Sequence, residues 1–339
     1  MKAAQAPNEA PNEAPNEAPN EVGHLLFLGR SCEEIILAPR KIESYSDFIR
    51  AIRKIRAATG TIAEEDDNQL VHAVCYLLAW IVGDASKHLG SRRWLTMNLV
   101  LHLTRKHPEN LLLGEYVMDC LRMLGVPCMR GQDGEPTRKV PNGFYSWHSR
   151  FSPIVGWLFT ACLGLGWDEK TTKHPVKMEW LLGAPQDLRV WFLRGLADSD
   201  GDVHFQQRWV DIATSPNSSF VQRLYESLGL HARVRVHRGY GYVSISANDA
   251  AKLQIFNPNL LTYRRATLEK LVAARVFHNR WPDWLEAKVQ FLIREGLSER
   301  RICELVLEED TVYVRMRSIK AKRKKIVAQN SVGEMQLHS

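Results

Sequence analysis

The sequence predicts an α+β protein with two similar halves and a small all-helical C-terminal segment. Two apolar helices, each ending in small residues and an acid, align with one another without a gap. After each acid the chain has the patterns of two strands, a helix, two strands and a helix. The last part of the chain has helical periodicity alone. Each half is therefore expected to have the element order αββαββα.

The charge distribution of the chain favours an anionic partner. Its 339 residues are enough to bury a full hydrophobic core, and its formal net charge of +7 is unevenly spread. Arg315 to Lys325 holds seven Lys and Arg and no acid, and residues 231–248 hold three Arg and no acid. Clusters of one sign attract partners of the opposite sign.

The cysteines indicate a reducing compartment. They form no CxxC pair and no cluster with metal-site spacing, so we expect reduced core residues. No stretch has the apolar length of a membrane span, and the N-terminus lacks a charged-then-apolar leader. We therefore expect a cytoplasmic, nucleoid-associated protein without a membrane partner. The six cysteines are Cys32, Cys75, Cys120, Cys128, Cys162 and Cys303.

The first 65 residues are predicted to form a tail and a helical extension. Residues 1–21 repeat Pro, Asn, Glu and Ala, which bury almost nothing, so this tail is expected to be disordered. The extension, residues 22–65, includes a stretch at 44–58 with an apolar helical face. We interpret this helix as packed on the core, in preference to a DNA-binding arm. Its apolar face carries Phe48, Ile49, Ile52 and Ile55.

The two halves are residues 66–165 and 186–275, joined by a linker at 166–185. Placing Asp84 on Asp200 aligns the two apolar helices and the strands that follow them. The match continues through both strand pairs, with a longer hairpin loop in the first half. The aligned pairs are Leu77 with Leu193, Ala79 with Gly195, Gly83 with Ser199, and His88 with His204.

The hairpin at 231–248 predicts a sheet with one buried and one polar face. Its residues alternate between apolar and polar along both strands, as in a half-buried antiparallel pair. The apolar side carries Val234, Val236, Val243 and Ile245. The polar side carries Arg233, Arg235, His237, Tyr240, Tyr242, Ser244 and Ser246.

The two acids predict a metal site. Small residues at matching positions let the two helices approach closely and cross at a pseudo-twofold axis. This brings Asp84 and Asp200 side by side, where two like charges are costly unless a cation neutralises them. Carboxylate oxygens suit Mg²⁺ better than zinc, and such a metal can activate water and stabilise a leaving oxygen. Asp198 is expected to order its own turn.

The acid-ended helices resemble a known family. "FLRGLADSDG" at 192–201 resembles the second motif of the LAGLIDADG homing endonucleases, and "LLAWIVGDA" at 77–85 resembles a first motif. The resemblance covers roughly residues 66–275. It implies a monomeric saddle of two αββαββα halves that cuts both strands of duplex DNA at a long site. Asp84 and Asp200, the last acids of the motifs, would hold Mg²⁺ or Mn²⁺.

The resemblance also implies a basic residue near the scissile phosphate, for which Lys139 and Lys173 are candidates. Arg233, Arg235 and Arg238 are the preferred candidates for phosphate or guanine contacts, because a one-faced basic strand has no structural need of that pattern. The further candidate DNA contacts in the two halves are His88, Thr96, Asn98, Arg130, Asp202, His204, Gln206, His237, Tyr240, Tyr242, Ser244 and Ser246.

The C-terminal segment, residues 276–325, has the spacing of a helix-turn-helix. It is predicted as a helix, a turn with Ser298 as cap, a second helix, and a third helix capped by Thr311. The third helix supplies the candidate DNA contacts Arg315, Arg317 and Lys320. The alternative is a solvated charge run without DNA contact. Residues 326–339 are expected to be a disordered tail.

Two other functions stay open at this stage. A LAGLIDADG scaffold with an added helix-turn-helix also resembles the WhiA-type bacterial transcription regulators, in which the nuclease site has decayed. An intron maturase would use the same saddle to bind RNA. Retention of an acid in both motifs favours the endonuclease. The expected reaction is metal-dependent hydrolysis of phosphodiester bonds in double-stranded DNA.

Overall fold

The computed structural model describes residues 41–59, 67–92, 95–237, 239–277 and 280–337. The predicted tail at 1–21 and most of the predicted N-terminal extension lie outside these ranges. The described residues form an α+β fold with two four-stranded antiparallel sheets and helices at the C-terminus, which confirms the predicted fold class.

The first half has the predicted order αββαββα. Its sheet has the strand order β1-β2-β4-β3, and every pairing in it is antiparallel. The last helix begins at Pro153, capped by the Ser152 hydroxyl, and continues as a π-helical turn to Cys162. The elements are α2 (Asp67–Val82), β1 (Ser86–Leu89), β2 (Met97–Thr104), α3 (Asn110–Arg122), β3 (Cys128–Arg130), β4 (Phe144–Ser149) and α4 (Pro153–Trp157).

The second half repeats this arrangement after a short linker helix, α5 (Glu179–Leu182). Its sheet order, β5-β6-β8-β7, is the order of the first sheet with the equivalent strands in place. This agreement confirms the predicted duplication. The elements are α6 (Gln186–Asp200), β5 (Gly201–His204), β6 (Trp209–Ala213), α7 (Ser218–Glu226), β7 (Arg233–His237), β8 (Tyr240–Ser246), α8 (Ala247–Lys252) and α9 (Tyr263–Ala273).

Helix α1 (Tyr45–Thr59) packs on the first half by its apolar face. Phe48, Ile52 and Ile55 are buried, and the Phe48 ring stacks on Trp180 with 4.5 Å between ring centroids. Ile49 is only half-buried. The interpretation of this helix as a packing element is therefore confirmed.

The two halves meet where α2 crosses α6 with almost no side chain between the backbones. A Cβ atom on Gly195 would lie 2.5 Å from the Tyr76 carbonyl oxygen and 2.6 Å from the Ala79 Cβ. A Cβ atom on Gly83 would lie 2.3 Å from the Ser199 hydroxyl oxygen. Ala79 is the equivalent of Gly195, and Gly83 that of Ser199. Each residue thus meets its own counterpart, as expected at a pseudo-twofold axis.

The sheets each bury one face, because side chains alternate along the strands. Val210, Ile212 and Val243 of the second sheet are buried on the side that packs against helices, as are Leu99, Leu101 and Trp147 of the first sheet. The opposite face of each sheet carries mostly polar residues. The edge strand β7 is only partly covered, and its Val236 remains largely exposed.

The C-terminal segment has its own small core. Helices α10 (Asp283–Arg294) and α11 (Glu299–Asp310) are joined by a tight turn. The Ser298 hydroxyl accepts a hydrogen bond from the Arg301 N–H at 3.3 Å, as predicted for the cap. The strands β9 (Arg275–Val276) and β10 (Val312–Tyr313) pair in parallel and connect the segment to the second half.

The third helix of this segment, α12 (Met316–Leu337), differs from the prediction at both ends. Thr311 does not cap it. Thr311 ends α11 in the left-handed conformation, with φ of 52°, and the next two residues are drawn into β10. The helix therefore starts at Met316, and it continues well past residue 325, where a disordered tail was expected.

The cysteines of the described residues are reduced. Cys75, Cys120, Cys128, Cys162 and Cys303 are all free thiols and all but Cys128 are buried, as expected of reduced core residues. Cys32 lies outside the described residues. In the part of the chain that the structure describes, no helix is long and apolar enough to cross a membrane.

We expect Gly195→Ala to destabilise the protein, because the added methyl group would overlap the Tyr76 carbonyl at the helix crossing. Overpacking of this kind costs about 2 kcal/mol. Gly183→Ala is the matched control, since a Cβ there would have its nearest neighbour at 3.7 Å. Chemical denaturation of both variants measures the difference. Equal stabilities would contradict the close crossing of α2 and α6.

Candidate functional site

The crossing of α2 and α6 brings the two predicted acids together. Asp200 is the last residue of α6, and Asp84 follows the end of α2 by two residues. A Cβ atom on Gly83 would lie 2.8 Å from the Asp200 carboxylate oxygen, so this carboxylate lies against the backbone next to Asp84. The charge of Asp84 in turn acts on Asp200. The geometry thus pairs the acids of the two halves.

The surroundings of the pair disfavour two negative charges. Burial raises the pKa of Asp200, and the charge of Asp84 raises it further. Burial also raises the pKa of Asp84. The Asp84 side chain is nevertheless reached by solvent, and that of Asp200 is half-buried. The pair therefore lies among closely packed protein atoms while staying open to water on one side.

Arg264 is the positive charge beside both acids, and sequence reasoning missed it. Its charge lowers the pKa of Asp84 and of Asp200, against the effect of burial. Its guanidinium donates hydrogen bonds to the carbonyl oxygens of Asp198 and Ser199, the latter at 3.3 Å. These carbonyls belong to the last turn of α6, where the helix dipole favours a cation.

Asp198 has a structural role that differs from the expected one. Its side chain is buried and accepts hydrogen bonds from the Tyr76 hydroxyl at 2.8 Å and from the Asn257 N–H at 3.1 Å. Burial raises its pKa to about 7. The expectation that Asp198 orders its own turn is wrong, because its carboxylate joins α6 to α2 and to the loop after α8.

The acid pair fits a hard divalent cation better than zinc. Within the described residues, no group of three or more His, Cys, Asp or Glu side chains converges on one point. Structural zinc usually needs four protein ligands. Mg²⁺ keeps several waters and is commonly held by one or two carboxylates plus substrate phosphates. Asp84 and Asp200, open to water on one side, match that ligand set.

The predicted catalytic lysines do not contact the acids. Lys139 is exposed in the loop between β3 and β4, and Lys173 is exposed in the linker. Their roles stay predictions. A basic group does lie beside the acid pair, but it is Arg264, which enters from α9. The sequence around Arg264 predicts a helix, but it contains no motif that would link this residue to Asp84 or Asp200.

The polar face of the second sheet is organised around Asp211, a residue that sequence reasoning did not single out. Its buried carboxylate lies 2.9 Å from the His204 Nε2 atom and accepts a hydrogen bond from the Arg235 guanidinium. Arg235 also donates to the Ser244 hydroxyl at 3.0 Å and covers the Trp209 ring at 4.2 Å. Arg235 and His204, two of the predicted DNA contacts, thus each have a partner within the protein.

This network shifts the pKa of both its titratable members. The hydrogen bond to Asp211 raises the pKa of His204, although burial opposes the shift. Burial works to raise the pKa of Asp211, but the hydrogen bond from His204 and the charge of Arg235 bring it below its ordinary value. The two shifts show that the charged forms of His204 and Asp211 stabilise each other.

The remaining predicted residues of this face divide into exposed and occupied groups. Ser244 is buried and accepts a hydrogen bond from Arg235, which corrects its expected DNA contact. Ser246 is exposed and accepts the Asp249 N–H at 3.1 Å as the cap of α8, and its DNA contact stays a prediction. Arg238 lies outside the described residues. The exposed or half-exposed members are Asp202, Arg233, His237, Tyr240 and Tyr242.

On the first sheet, two of the predicted contacts stabilise local structure. The Asn98 side chain accepts the His88 N–H at 3.2 Å, and the Thr96 hydroxyl accepts the Ser91 N–H at 2.8 Å within the β1–β2 turn. His88 itself is exposed on the polar face. Strand pairing adds to this face residues that sequence reasoning missed, which are His102, Ser146 and His148.

Arg130 lies on the other face of the first sheet, contrary to the expected DNA contact. It pairs with Trp147, whose side chain is buried in the core, so the two side chains share that face. Its guanidinium forms an ion pair with Asp133 at 2.8 Å. The DNA contact expected of Arg130 is therefore corrected by the strand register.

The predicted C-terminal contacts lie on the surface. Arg315, Arg317 and Lys320 are exposed at the start of α12. Gln206 is half-buried in the β5–β6 turn, and its carbonyl accepts a hydrogen bond from the Tyr313 hydroxyl. This bond joins the C-terminal segment to the second half.

Comparisons with known proteins give structural similarity alone. No protein-family model matches the sequence, and no significant match is found among curated proteins. Mesophilic variants of the homing endonuclease I-DmoI match with 17% identity and a TM-score of 0.39, over 54% of this chain and 93% of that chain. Full-length DUF199/WhiA from Thermatoga maritima matches with 13% identity and a TM-score of 0.41, over 76% and 78%.

A further solved structure, I-DmoI in complex with DNA and Ca, matches with 18% identity and a TM-score of 0.41. It covers 59% of this chain and 98% of that chain. These identities and scores are too low to assign the chain to a family. Its function therefore has to be inferred from its own residues.

We expect Asp200→Asn to stabilise the fold at neutral and alkaline pH. Because the folded pKa of Asp200 is raised, the folded protein binds the proton more tightly than the unfolded chain. The contribution of Asp200 to stability is therefore fully present below its ordinary pKa of 3.8, and it is lost as pH rises through the raised pKa.

The gain in melting temperature of Asp200→Asn should thus grow from pH 4 to pH 8, a range chosen to span that raised pKa. Thermal unfolding in metal-free buffer measures it. Asp168→Asn, which removes an exposed acid of the linker, is the control and should show no such trend. A gain independent of pH would contradict the coupled acid pair.

We expect Asp211→Asn to destabilise the protein by about 1–2 kcal/mol, since Arg235 and His204 lose a charged hydrogen-bond partner. The stabilisation contributed by protonated His204 is lost as pH rises above 6.5 and through its raised pKa. The stabilisation contributed by ionised Asp211 is lost as pH falls below 3.8 and through its lowered pKa. The destabilisation should therefore be largest between these values. Denaturant titrations that show equal loss at all pH values would contradict the network.

Proposed function

We propose that this protein is a DNA endonuclease that binds a duplex across its two sheets and cleaves both strands with a divalent metal. One observation carries the proposal: the pairing of Asp84 and Asp200, equivalent residues of two similar halves, at the pseudo-twofold crossing of α2 and α6. Two like charges held together in closely packed protein destabilise the fold unless a bound cation neutralises them.

The shape of the ligand is inferred from the symmetry of the site. The two sheets have the same strand order, and their first strands, β1 and β5, begin directly after Asp84 and Asp200 along the chain. Duplex DNA has twofold symmetry in its backbone, and its major groove admits a two-stranded ribbon. Arg233, His237 and Tyr240 are exposed on the second face, where they are available for phosphate and base contacts.

The chain's own residues would perform distinct tasks at the cleavage site. Asp84 and Asp200 would hold Mg²⁺ or Mn²⁺ by their carboxylates. A bound ion of this kind supplies Lewis-acid stabilisation of charge on the phosphodiester. Arg264 balances the negative charge and ties the end of α6. Asp198 fixes that helix end to α2 through Tyr76, so the spacing of the acids is held constant.

A second function, DNA binding without cleavage, is favoured by Arg264. Its guanidinium already provides a positive charge to the acid pair, so the pair is partly neutralised without a metal. The basic C-terminal helix would serve such a transcription regulator equally well. The two functions differ in one observable, which is metal-dependent hydrolysis of the DNA that the protein binds.

The test starts from duplexes selected by binding from a random library in the presence of EDTA. We expect the wild type to cut the selected duplexes on both strands when Mg²⁺ or Mn²⁺ is added. Asp84→Asn and Asp200→Asn should each abolish cleavage and keep binding, because they remove a metal ligand and leave the polar faces unchanged. Asp168→Asn, at an exposed linker acid, is the control.

Selected duplexes that bind tightly and are never cut would support the regulator instead. Undiminished cleavage by both acid variants would contradict the metal assignment. Gel electrophoresis detects binding as a shifted band and cleavage as shorter fragments, so loss of cleavage is distinguished from loss of binding.

A further inference from the structure

A cleft of about 680 Å³ lies between the β5–β6 turn of the second half and the start of the C-terminal segment. Its two walls are held together by the Tyr313 hydroxyl, which donates to the Gln206 carbonyl, and by the pairing of β9 with β10. These contacts hold the two walls of the cleft together. Its lining residues include Gln206, Gln207, Arg208, Trp209, Arg315 and Arg317.

The cleft concentrates positive charge, and no ion pair within the part of the chain that the structure describes neutralises it. Arg208, Arg315 and Arg317 all line it, and none of its lining residues is acidic. Burial raises the pKa of the Tyr313 hydroxyl, and the charges of all three arginines act against that shift. The Arg208 guanidinium also covers the Tyr313 ring at 5.1 Å, so positive charge is concentrated around this side chain. Like charges brought together in this way call for an anion between them.

Arg208 shows that the cleft is built for a partner. Its Nη1 atom is buried and has no hydrogen-bond partner among the described residues. Its backbone has a φ of 56°, a left-handed conformation that is costly for a residue with a side chain. The Ala247 N–H holds this conformation through a hydrogen bond to the Arg208 carbonyl at 2.9 Å. This left-handed residue is thus fixed at the wall of the cleft, which its side chain lines.

The start of α12 adds to the positive potential. Met316 and Arg317 line the cleft and belong to the first turn of a long helix. The N–H groups of a first helical turn lack partners within the helix, and the helix dipole favours an anion there. Three arginines together with such N–H groups form a donor set that matches the oxygens of a phosphate.

The cleft is continuous with the polar face of the second sheet. Trp209 lines the cleft, and its ring also lies under Arg235 in the middle of that face. We infer that the cleft binds a backbone phosphate of the duplex where the DNA leaves the second half, and thereby fixes the C-terminal segment on the same DNA. This inference rests on the proposed DNA binding.

The test compares the double variant Arg315→Ala/Arg317→Ala with Arg294→Ala, an arginine of α10 outside the cleft lining. Binding of a selected duplex is measured in EDTA at several salt concentrations. Each phosphate contact contributes about 0.9 to the slope of log affinity against log salt. We expect the double variant to lower the slope by about 0.9–1.8. The control should not change it.

A second arm separates DNA phosphate from a free phosphate ligand. The duplex is trimmed from the flank beyond the second half, and inorganic pyrophosphate is titrated against the wild type by calorimetry. Trimming should remove the difference between the wild type and the double variant, and pyrophosphate should bind weakly at best. An unchanged slope in the double variant would overturn the inference, as would tight pyrophosphate binding with no effect of trimming.

The outcomes also separate this inference from the proposed nuclease activity. A lowered slope with no cleavage would support the cleft and refute the nuclease. Cleavage by the wild type with an unchanged slope in the double variant would refute the cleft alone. Circular dichroism of the double variant checks that its fold is intact, and Arg315→Lys/Arg317→Lys should restore most of the slope because the charges return.

Discussion

The close approach of α2 and α6 is the constraint on which the rest of the structure depends. Gly195 admits the Tyr76 carbonyl and Ala79, and Gly83 admits Ser199, so two helix backbones cross without side chains between them. Equivalent residues meet at this crossing, and the two halves that it joins have the same strand order. The same crossing brings two acids from distant parts of the sequence to one place. The same helix contact therefore joins the two halves and brings Asp84 and Asp200 together.

The acid pair opposes the stability of the fold that creates it. Burial and mutual repulsion raise the pKa of Asp200, and Arg264 only partly offsets them. Such opposition between stability and activity is common at functional sites. Asp211 on the second sheet shows the contrary case, since its buried carboxylate is paired with His204 and Arg235 and orders the polar face. Asp211 thus has two cationic partners within the protein, whereas Asp84 and Asp200 repel each other and are only partly balanced by Arg264.

The sequence predicted those features of the fold that depend on residues close together in the chain. The small residues of the crossing, the alternating strands, and the cap at Ser298 follow from neighbouring residues, and all are confirmed. Arg264 could not be found this way, because its link to the acids exists only after α9 folds back. The prediction that Arg130 faces DNA was wrong because its strand, β3, has only three residues. A long loop separates β3 from β4, so the sequence alone does not determine how the two strands pair.

The pairing of Asp84 and Asp200 at one metal site is the central claim, and anomalous scattering tests it most directly. Crystals of the protein with a bound duplex would be grown with Mn²⁺, and diffraction would be measured near the manganese absorption edge. The account predicts an anomalous peak in contact with both carboxylates, and its loss in Asp200→Asn. A peak elsewhere, or no peak between Asp84 and Asp200 at millimolar Mn²⁺, would contradict it.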